Sequence, residues 1–277
     1  VISAALEQAK ISLSDLDGIA VTQGPGLVGS LLVGLSVAKA MAYVLGLPLV
    51  GVNHVEGHIA AAFLEHEDLT YPFLALVVSG GHSSLYEGRS PREYHLLGQT
   101  RDDAAGEAFD KVAKFLKLGY PGGIIIDRLS QTANNKAVAF PRPWISNESL
   151  DFSFSGLKTA VITFIKKLNH DPTGSEIDDI AASFQEAVVD VLVGKAFLAA
   201  KQKGLNKIVV CGGVASNQRL RQRLHAEAKN RGAKVFVPSP HLCTDNAAMI
   251  GAAGTYYLER GVRAPLNLNA YSRLRSI

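Results

Sequence analysis

The 277-residue chain contains only two cysteines, Cys211 and Cys243. They lie far apart and no C-x-x-C motif is present, which excludes a disulfide framework and a thiolate zinc site. Glycine, polar or charged residues break every apolar run before it reaches a bilayer-spanning length. No charged segment leads into an apolar stretch at the start, as a secretory signal would. We therefore expect a cytoplasmic protein without a membrane partner.

Excess charge is also small, with a formal net charge of +3 and a pI of about 8.8. Such mild basicity permits a nucleic-acid partner but does not require one. The hydrophobic content of 47% and the charged content of 19% are typical of a globular chain with a large core. A basic run at 217–234 reads "NQRLRQRLHAEAKNRGAK", and its composition favours a solvated helix face over an RNA-contact surface.

Strands, glycine loops and helices alternate along the chain. An apolar helix follows the first strand, and Ser30 and Gly46 are its predicted N-cap and C-terminal stop. Near Pro72 the pattern changes to a hairpin, "FLALVVSGGHSSLYEG". We predict an α/β fold with two similar lobes and a cleft between them. Residues 1–72 and a returning helix at about 244–260 would form the N-terminal lobe, and 73–243 the C-terminal lobe.

The stretch "VNHVEGHIAA" contains two histidines, His54 and His58, four residues apart. On a helix they share a face and could chelate one metal ion. Glu56 does not follow the first histidine directly, as the glutamate of the zincin H-E-x-x-H motif does. It lies two residues on, roughly 200° around the helix, and points away from the shared face. The spacing therefore permits a metal site and opposes zincin chemistry, while a helix start with two surface histidines is slightly favoured.

Asp245 lies at the expected start of the last helix and offers a carboxylate. A carboxylate in a first helical turn also suits the helix dipole, so a structural role is a strong alternative. If Asp245 faces the histidines, the three groups would suit Fe²⁺ or Zn²⁺ and leave positions open for a substrate oxygen.

Glycine pairs and carboxylates suggest a nucleotide site, although each has a local structural alternative. Gly80 and Gly81 allow backbone N–H groups to approach an anion, but taken alone they are better explained by an ordinary hairpin turn. Asn217, after a Gly-Gly loop, could contact a base or ribose or could simply cap a helix. Asp110 and Asp127 could accept hydrogen bonds from ribose hydroxyls, or could be solvated helix residues.

The order and wording of the motifs together are more specific than any one of them. They are "TQGPGLVGSLLVG", "GVNHVEGHIAA", "VVSGGHSSL", "DDAAGEAFDKVAK", "YPGG", "DFSFSGLKTA", "GGVASNQRLR" and "CTDNAAMIG". The chain thereby resembles, nearly end to end, the bacterial form of the TsaD family, the tRNA N6-adenosine threonylcarbamoyltransferases.

The resemblance implies an actin-like, sugar-kinase-like (ASKHA) two-lobed ATPase fold. It implies transfer of a threonylcarbamoyl group from threonylcarbamoyl-AMP to N6 of the adenosine 3′ of the anticodon, in tRNAs reading codons that begin with A. A separate synthase makes the adenylate, and TsaB-like and TsaE-like proteins are the implied partners. ATP or ADP is a further implied ligand.

The resemblance also implies roles for individual residues. The metal ligands would be His54, His58 and Asp245. The phosphate and acyl group would lie against Val77, Val78, Ser79, Gly80 and Gly81. The nucleoside would be held by Asp110, Gly123, Asp127 and Asn217. No residue is implied as the general base.

One departure from the family pattern concerns the start of the chain. Family members begin with a strand hairpin resembling "G-I-E-T-S-C-D-E-T", and no such segment precedes the first helix here. We therefore expect the first strands of the N-terminal lobe to be missing, and the activity of the chain as given to be impaired. The alternatives to the transferase are a glycoprotease-type metalloprotease and a kinase, ATPase or scaffold paralogue of the same fold.

Overall fold

The computed structural model describes residues 1–144 and 148–273. The chain forms two compact units, Val1–Leu64 with Asn246–Ile277 (unit 1) and Glu65–Asp245 (unit 2). The boundary predicted at residue 72 assigned 65–72 to the first lobe, whereas these residues belong to unit 2. Their contacts explain the difference, because Ser239 N donates to Glu65 Oε2 at 2.6 Å and Lys234 Nζ lies 3.1 Å from Asp68 Oδ2.

Helices and strands follow each other as the glycine punctuation predicts. In chain order they are α1 (Ile2–Ala9), β1 (Ile19–Gly24), α2 (Val28–Leu45), β2 (Leu49–Asn53), α3 (His54–Ala60), β3 (Phe73–Val78), β4 (Ser83–Ser90), β5 (Glu93–Gln99), α4 (Ala105–Phe115), α5 (Gly122–Leu129), α6 (Ser155–Lys167), α7 (Ser175–Lys203), β6 (Lys207–Cys211), α8 (Gln218–Arg231), β7 (Lys234–Phe236), α9 (Pro240–Cys243) and α10 (Ala247–Glu259). Short 3-10 helices lie at Leu13–Asp15, Ala61–Leu64 and Gly213–Ser216.

In unit 1, α2 packs on the parallel strand pair β1 and β2. The helix ends at Gly46, whose φ of 66° lies in the left-handed region, as predicted. Its start differs from the prediction, because the helix begins at Val28 after an extended Leu27 and without a side-chain cap. Ser30 therefore lies inside the first turn, where helical continuation through the preceding apolar residues overrides its preference for the cap position.

The prediction that no segment is long and apolar enough to span a bilayer is wrong for helix α2. Val28–Leu45 has a mean hydropathy of 1.8, and by length and composition alone it could cross a bilayer. Helices in the cores of water-soluble proteins meet the same criterion. Here Leu35, Ala38 and Ala42 are buried, and Lys39 Nζ donates to the Leu268 carbonyl at 2.8 Å. These contacts attach the helix to its own unit.

Unit 2 is built on a five-stranded sheet in the order β5-β4-β3-β6-β7. Strands β3 and β4 form the predicted antiparallel hairpin, and β6 lies parallel to β3 on its other side. Helix α7 is 29 residues long and most of its side chains are buried. It packs against this sheet, so residues at the carboxyl ends of β3 and β6 rest on a rigid base.

The basic run on α8 differs from the solvated face that its composition favoured. Arg219 Nε donates to Glu186 Oε2 at 2.6 Å, and Arg223 Nη1 lies 2.8 Å from Asp190 Oδ1. Arg221 Nε donates to the Ala215 carbonyl at 2.7 Å. These arginines therefore fix α8 to α7 and to the preceding loop. Their positive charges are paired largely with acidic groups of the same unit.

Candidate functional site

The two histidines of the i, i+4 pair lie on α3, which begins directly after β2. Asn53 is the N-cap, since its Oδ1 accepts a hydrogen bond from Val55 N at 2.8 Å. His54 thus occupies the first helical position and is partly exposed, whereas His58 is fully buried. Their ring centroids are 4.7 Å apart with an interplanar angle of 74°. The spacing therefore places both imidazoles together, as predicted.

Asp245 reaches this pair because α10 packs closely on α3. It directly precedes Asn246, whose side chain caps α10 by accepting from Met249 N at 2.8 Å. Gly57 permits the close approach, since a Cβ atom there would lie 2.7 Å from Ile250 Cδ1. One ligand atom from each of His54, His58 and Asp245 lies within 4.8 Å of the other two.

This donor set fits a divalent transition metal. Two imidazole nitrogens and one carboxylate oxygen are ligands that Fe²⁺ and Zn²⁺ accept, at distances of about 2.0–2.2 Å. The spacing of the three ligand atoms is little more than twice such a bond. Glu56 is not part of the group, and its side chain is buried (8% exposed).

The Gly80–Gly81 hairpin follows β3 in unit 2. Ser79 N donates to the His82 carbonyl at 2.8 Å and closes the turn. A Cβ atom on either Gly80 or Gly81 would meet no atom within 4 Å, so both backbones border open space. Val77 and Val78 are fully buried strand residues. Their side chains are therefore in the core, and only Ser79–Gly81 of the predicted phosphate segment can face a ligand.

Two further backbone segments converge on this hairpin. The first turn of α4 abuts it, since Gly106 N donates to the Ser79 carbonyl at 3.2 Å. A Cβ atom on Gly106 would lie 2.7 Å from that carbonyl oxygen. On the other side, a Cβ atom on Gly212 would collide with the Val78 carbonyl. Glycine is required at both positions because backbone packs directly on backbone.

Three of the four residues predicted to hold a nucleoside lie on α5 or contact its first residue. Asp110 Oδ1 accepts from Gly122 N at 2.8 Å, and the position of a Cβ on Gly123 is open apart from Phe109 Cβ at 3.9 Å. Asp127 Oδ2 accepts from Gln218 N at 3.0 Å. Asp127 Oδ1 is buried and has no hydrogen-bond partner within residues 1–144 and 148–273. Burial raises the pKa of this carboxyl.

The fourth residue, Asn217, is used within the protein. Its Oδ1 accepts from Leu220 N at 2.9 Å and caps α8, while its Nδ2 donates to Gln185 Oε1 at 2.6 Å. The side chain therefore acts chiefly as the helix cap that the sequence offered as its alternative role. Sequence reasoning missed Gln185, because a glutamine inside the apolar pattern of α7 carries no local signal.

The family model "TsaD: tRNA N6-adenosine threonylcarbamoyltransferase" matches residues 1–252. A protein of that name from Geobacter sulfurreducens is 56% identical over 270 residues, covering 98% of this chain and 79% of its own. One from Syntrophotalea carbinolica is 54% identical over 272 residues, with the same two shares of 98% and 79%. A third, from Clostridioides difficile, is 52% identical over 275 residues, covering 99% of this chain and 81% of its own.

The chain belongs to the TsaD family. The predicted membership is therefore confirmed, and with it the predicted class of enzyme, a transferase. The metalloprotease alternative is not favoured, because these relatives are named as transferases.

Solved structures bear out the predicted ASKHA fold for this TsaD family member. HypF from T. kodakarensis matches with a TM-score of 0.70 and 15% identity, covering 94% of this chain and 43% of that one. Component A of the (R)-2-hydroxyglutaryl-CoA dehydratase from Acidaminococcus fermentans matches with a TM-score of 0.52 and 18% identity, covering 94% and 83%. At such low identity these structures support the fold alone.

Proposed function

We propose that the chain transfers the threonylcarbamoyl group of threonylcarbamoyl-AMP to N6 of the adenosine 3′ of the anticodon in tRNAs that read codons beginning with A. The observation that carries this proposal is the family match over residues 1–252. The reaction joins the N6 nitrogen to the carbamoyl carbon and breaks the bond from that carbon to the phosphate oxygen. AMP leaves, and the nitrogen loses one proton. Because the donor is an activated anhydride, no enzyme nucleophile is required.

His54, His58 and Asp245 would hold one Fe²⁺ or Zn²⁺ ion. When bound, such an ion supplies a Lewis acid and an orienting charge for an oxygen-bearing substrate. The protein contributes the geometry, because Asn53 and Asn246 cap the two helices whose first turns carry or adjoin the ligands. The grouping of the three ligand atoms within 4.8 Å supports this assignment.

The adenylate would lie in unit 2. The backbone N–H groups of Gly80 and Gly81 would stabilise the charge that develops on the leaving phosphate, since both residues border open space. Asp127 Oδ1, which is buried and lacks a donor in the described chain, would accept a hydrogen bond from a ribose hydroxyl. Asp110 and Gly123 would border the nucleoside, and Asn217 would act through the start of α8.

The partners that the resemblance implies are tRNA, TsaB-like and TsaE-like proteins, and a synthase that supplies the adenylate. ATP or ADP is a further proposed ligand of the adenylate site, and the cytoplasm is the proposed location. An exposed apolar face on α2 supports a protein partner, because large exposed apolar patches commonly mark interaction surfaces. Its members are Val33, Tyr43 and Val44, which are 69–78% exposed.

Reconstitution tests this function directly. The chain would be combined with the partner proteins, the synthase, tRNA, threonine, bicarbonate and ATP, and the digested tRNA analysed by mass spectrometry for threonylcarbamoyladenosine. We expect the modified nucleoside to form, in the reduced yield that the sequence predicts for this chain, and His54→Ala or Asp245→Ala to lower that yield further by at least about 100-fold, as for loss of a metal that organises the reaction. Equal yields from these variants would overturn the metal assignment, and a folded, metal-loaded chain that forms no product would overturn the function.

A further inference from the structure

Gln185 is a buried polar residue in the middle of α7, with 3% of its surface exposed. Its Oε1 accepts a 2.6 Å hydrogen bond from Asn217 Nδ2, and Asn217 Oδ1 accepts from Leu220 N. These two contacts fix the orientation of the Asn217 amide. A rotation of the amide by half a turn would place its NH₂ group against the Leu220 N–H, donor against donor. The Leu220 N–H therefore selects the orientation in which Asn217 caps α8, and Gln185 holds the Nδ2 end of the amide in that orientation.

The capped turn of α8 in turn contacts Asp127. Gln218 N donates to Asp127 Oδ2 at 3.0 Å, which leaves Oδ1 as the buried oxygen without a donor in the described residues. A buried acceptor without a donor is unfavourable, and a ligand hydroxyl that reached Oδ1 would remove this cost. The direction in which Oδ1 points depends on where the first turn of α8 holds Oδ2.

A second contact from α7 restrains the same turn at a different place. Glu186, the neighbour of Gln185, accepts from Arg219 Nε and Nη2 at 2.6 and 2.8 Å. This ion pair holds α8 against α7 but makes no contact with the Asn217 amide. Loss of the Gln185 contact is therefore expected to disturb the cap of α8 without detaching the helix.

We propose that Gln185 is a positioning residue of the nucleoside site. It orients Asn217 so that the first turn of α8 presents its N–H groups to Asp127, and Asp127 then offers Oδ1 to a ribose hydroxyl of an adenosine nucleotide. This inference rests on the proposed function, because it assigns the ligand of Asp127 as the adenylate.

The test uses AMP as the probe and isothermal titration calorimetry of the full chain. Gln185→Met removes the acceptor at nearly constant size, and Gln185→Glu keeps an oxygen at the same place. Ser183→Ala is the matched control. Ser183 is also buried on α7, but its Oγ accepts from Val138 N at 3.1 Å rather than contacting α8. Circular dichroism and metal content are measured for every variant.

We expect Gln185→Met to weaken AMP binding about 3- to 10-fold, the loss that corresponds to one buried neutral hydrogen bond. Gln185→Glu should retain most of the affinity for AMP. Ser183→Ala should lower the thermal stability but leave the affinity for AMP unchanged. Metal content should be the same in all three, because the ligands lie on other elements. A purely structural role for Gln185 would instead give Ser183→Ala and Gln185→Met the same profile.

Two results separate this inference from the function on which it rests. If Gln185→Met binds AMP as tightly as the unaltered chain while Asp127→Asn loses affinity, the nucleoside site stands and the role of Gln185 is wrong. If the unaltered chain does not bind AMP, or Asp127→Asn binds it equally well, the nucleoside site is wrong and the inference falls with it. If Gln185→Met does not fold, Asn217→Ala removes the same contact, and unchanged AMP affinity in that variant overturns the proposal.

Discussion

At the scale of single residues, Asp127 combines a stability cost with a ligand-binding role. Burial raises the pKa of its carboxyl, so ionisation is less favourable in the folded chain than in the unfolded one. The folded state therefore loses stability as the pH rises from the unfolded pKa of 3.8 through the higher folded pKa. Above that window the cost is fully present.

Asp127→Asn should remove this cost and weaken nucleotide binding. We expect a higher melting temperature at pH 7, no gain near pH 3, and AMP affinity about 10- to 100-fold lower, as for loss of a hydrogen bond to a charged acceptor. Thermal denaturation across this pH range and calorimetry with AMP measure both effects. A variant that is less stable at pH 7 would contradict the account of burial.

The metal ligands give a second prediction for single residues. Asp245→Asn and His58→Gln should each reduce bound Fe²⁺ or Zn²⁺ by at least about tenfold, since each removes one of three protein ligands. Metal content after dialysis, measured by mass spectrometry, reports this loss. His95→Gln is the control, because His95 is a half-exposed strand residue outside the ligand group. Stoichiometric metal in Asp245→Asn would remove Asp245 from the site.

Only part of this candidate metal site could be predicted from the sequence. The spacing of His54 and His58 predicted a shared helix face. By contrast, no local pattern places Asp245 beside them, because its position depends on the packing of α10 against Gly57. The sequence offered the carboxylate of Asp245 only as a candidate ligand, and the family resemblance implied its role as the third one. For Asn217 the local alternative of a helix cap is confirmed, and its contact with a ligand stays a prediction.

At the scale of elements, Gly212 joins the end of β6 to the hairpin after β3. Its φ of 92° is unfavourable for other residues, and an added Cβ would strike the Val78 carbonyl. We expect Gly212→Ala to lower the free energy of unfolding by about 2–4 kcal/mol, from backbone strain plus overpacking. Gly213→Ala is the neighbouring control. Its Cβ would meet nothing within 4 Å, so a change within about 0.5 kcal/mol is expected in chemical denaturation. Equal losses in both variants would contradict the packing argument.

The attachment of α8 to α7 gives a pH-dependent prediction. Burial alone raises the pKa of Glu186, but hydrogen bonds and charge from Arg219 and Arg223 outweigh it and leave the pKa below 4.5. The stabilisation is therefore fully present above the unfolded pKa and is lost as the pH falls through the lower folded pKa.

Glu186→Gln should then cost about 1–3 kcal/mol at pH 7 and progressively less below pH 4. Urea denaturation at both pH values measures the difference. Glu227→Gln on α8 is the control, because the pair of Glu227 with Arg231 is an i, i+4 surface contact of small expected value. A loss for Glu186→Gln that does not depend on pH would show that its charge is not responsible.

Elements were predicted well where glycine or periodicity marks them, and less well where packing decides. Gly46 ends α2 as the sequence indicates, whereas the start of the same helix was wrong because Val28 and Gly29 continue it past Ser30. The ion pairs of α8 could not be foreseen, since their acidic partners lie on a helix about 30–40 residues earlier in the chain.

At the scale of the whole molecule, α2 presents a face that the rest of the described chain leaves exposed. Val33 and Val44 are 69% and 78% exposed, while the opposite side of the helix contributes Leu35 and Ala38 to the core of unit 1. A bilayer and a protein partner could both cover such a face. If α2 spanned a bilayer, it would lose its packing on β1 and β2. Lys39 would also lie in the hydrocarbon core, at a cost of about 2.5–3.5 kcal/mol or more.

We therefore expect a protein partner rather than a bilayer at this face. The double variant Val33→Glu, Val44→Glu should fold with an unchanged circular dichroism spectrum but lose measurable binding to the TsaB-like partner in size-exclusion chromatography. Leu96→Glu, an exposed position on β5 in unit 2, is the control and should bind normally. The unaltered chain, expressed alone, should be released from membranes by alkaline extraction. Resistance to extraction that the double variant abolishes would instead identify α2 as a membrane segment.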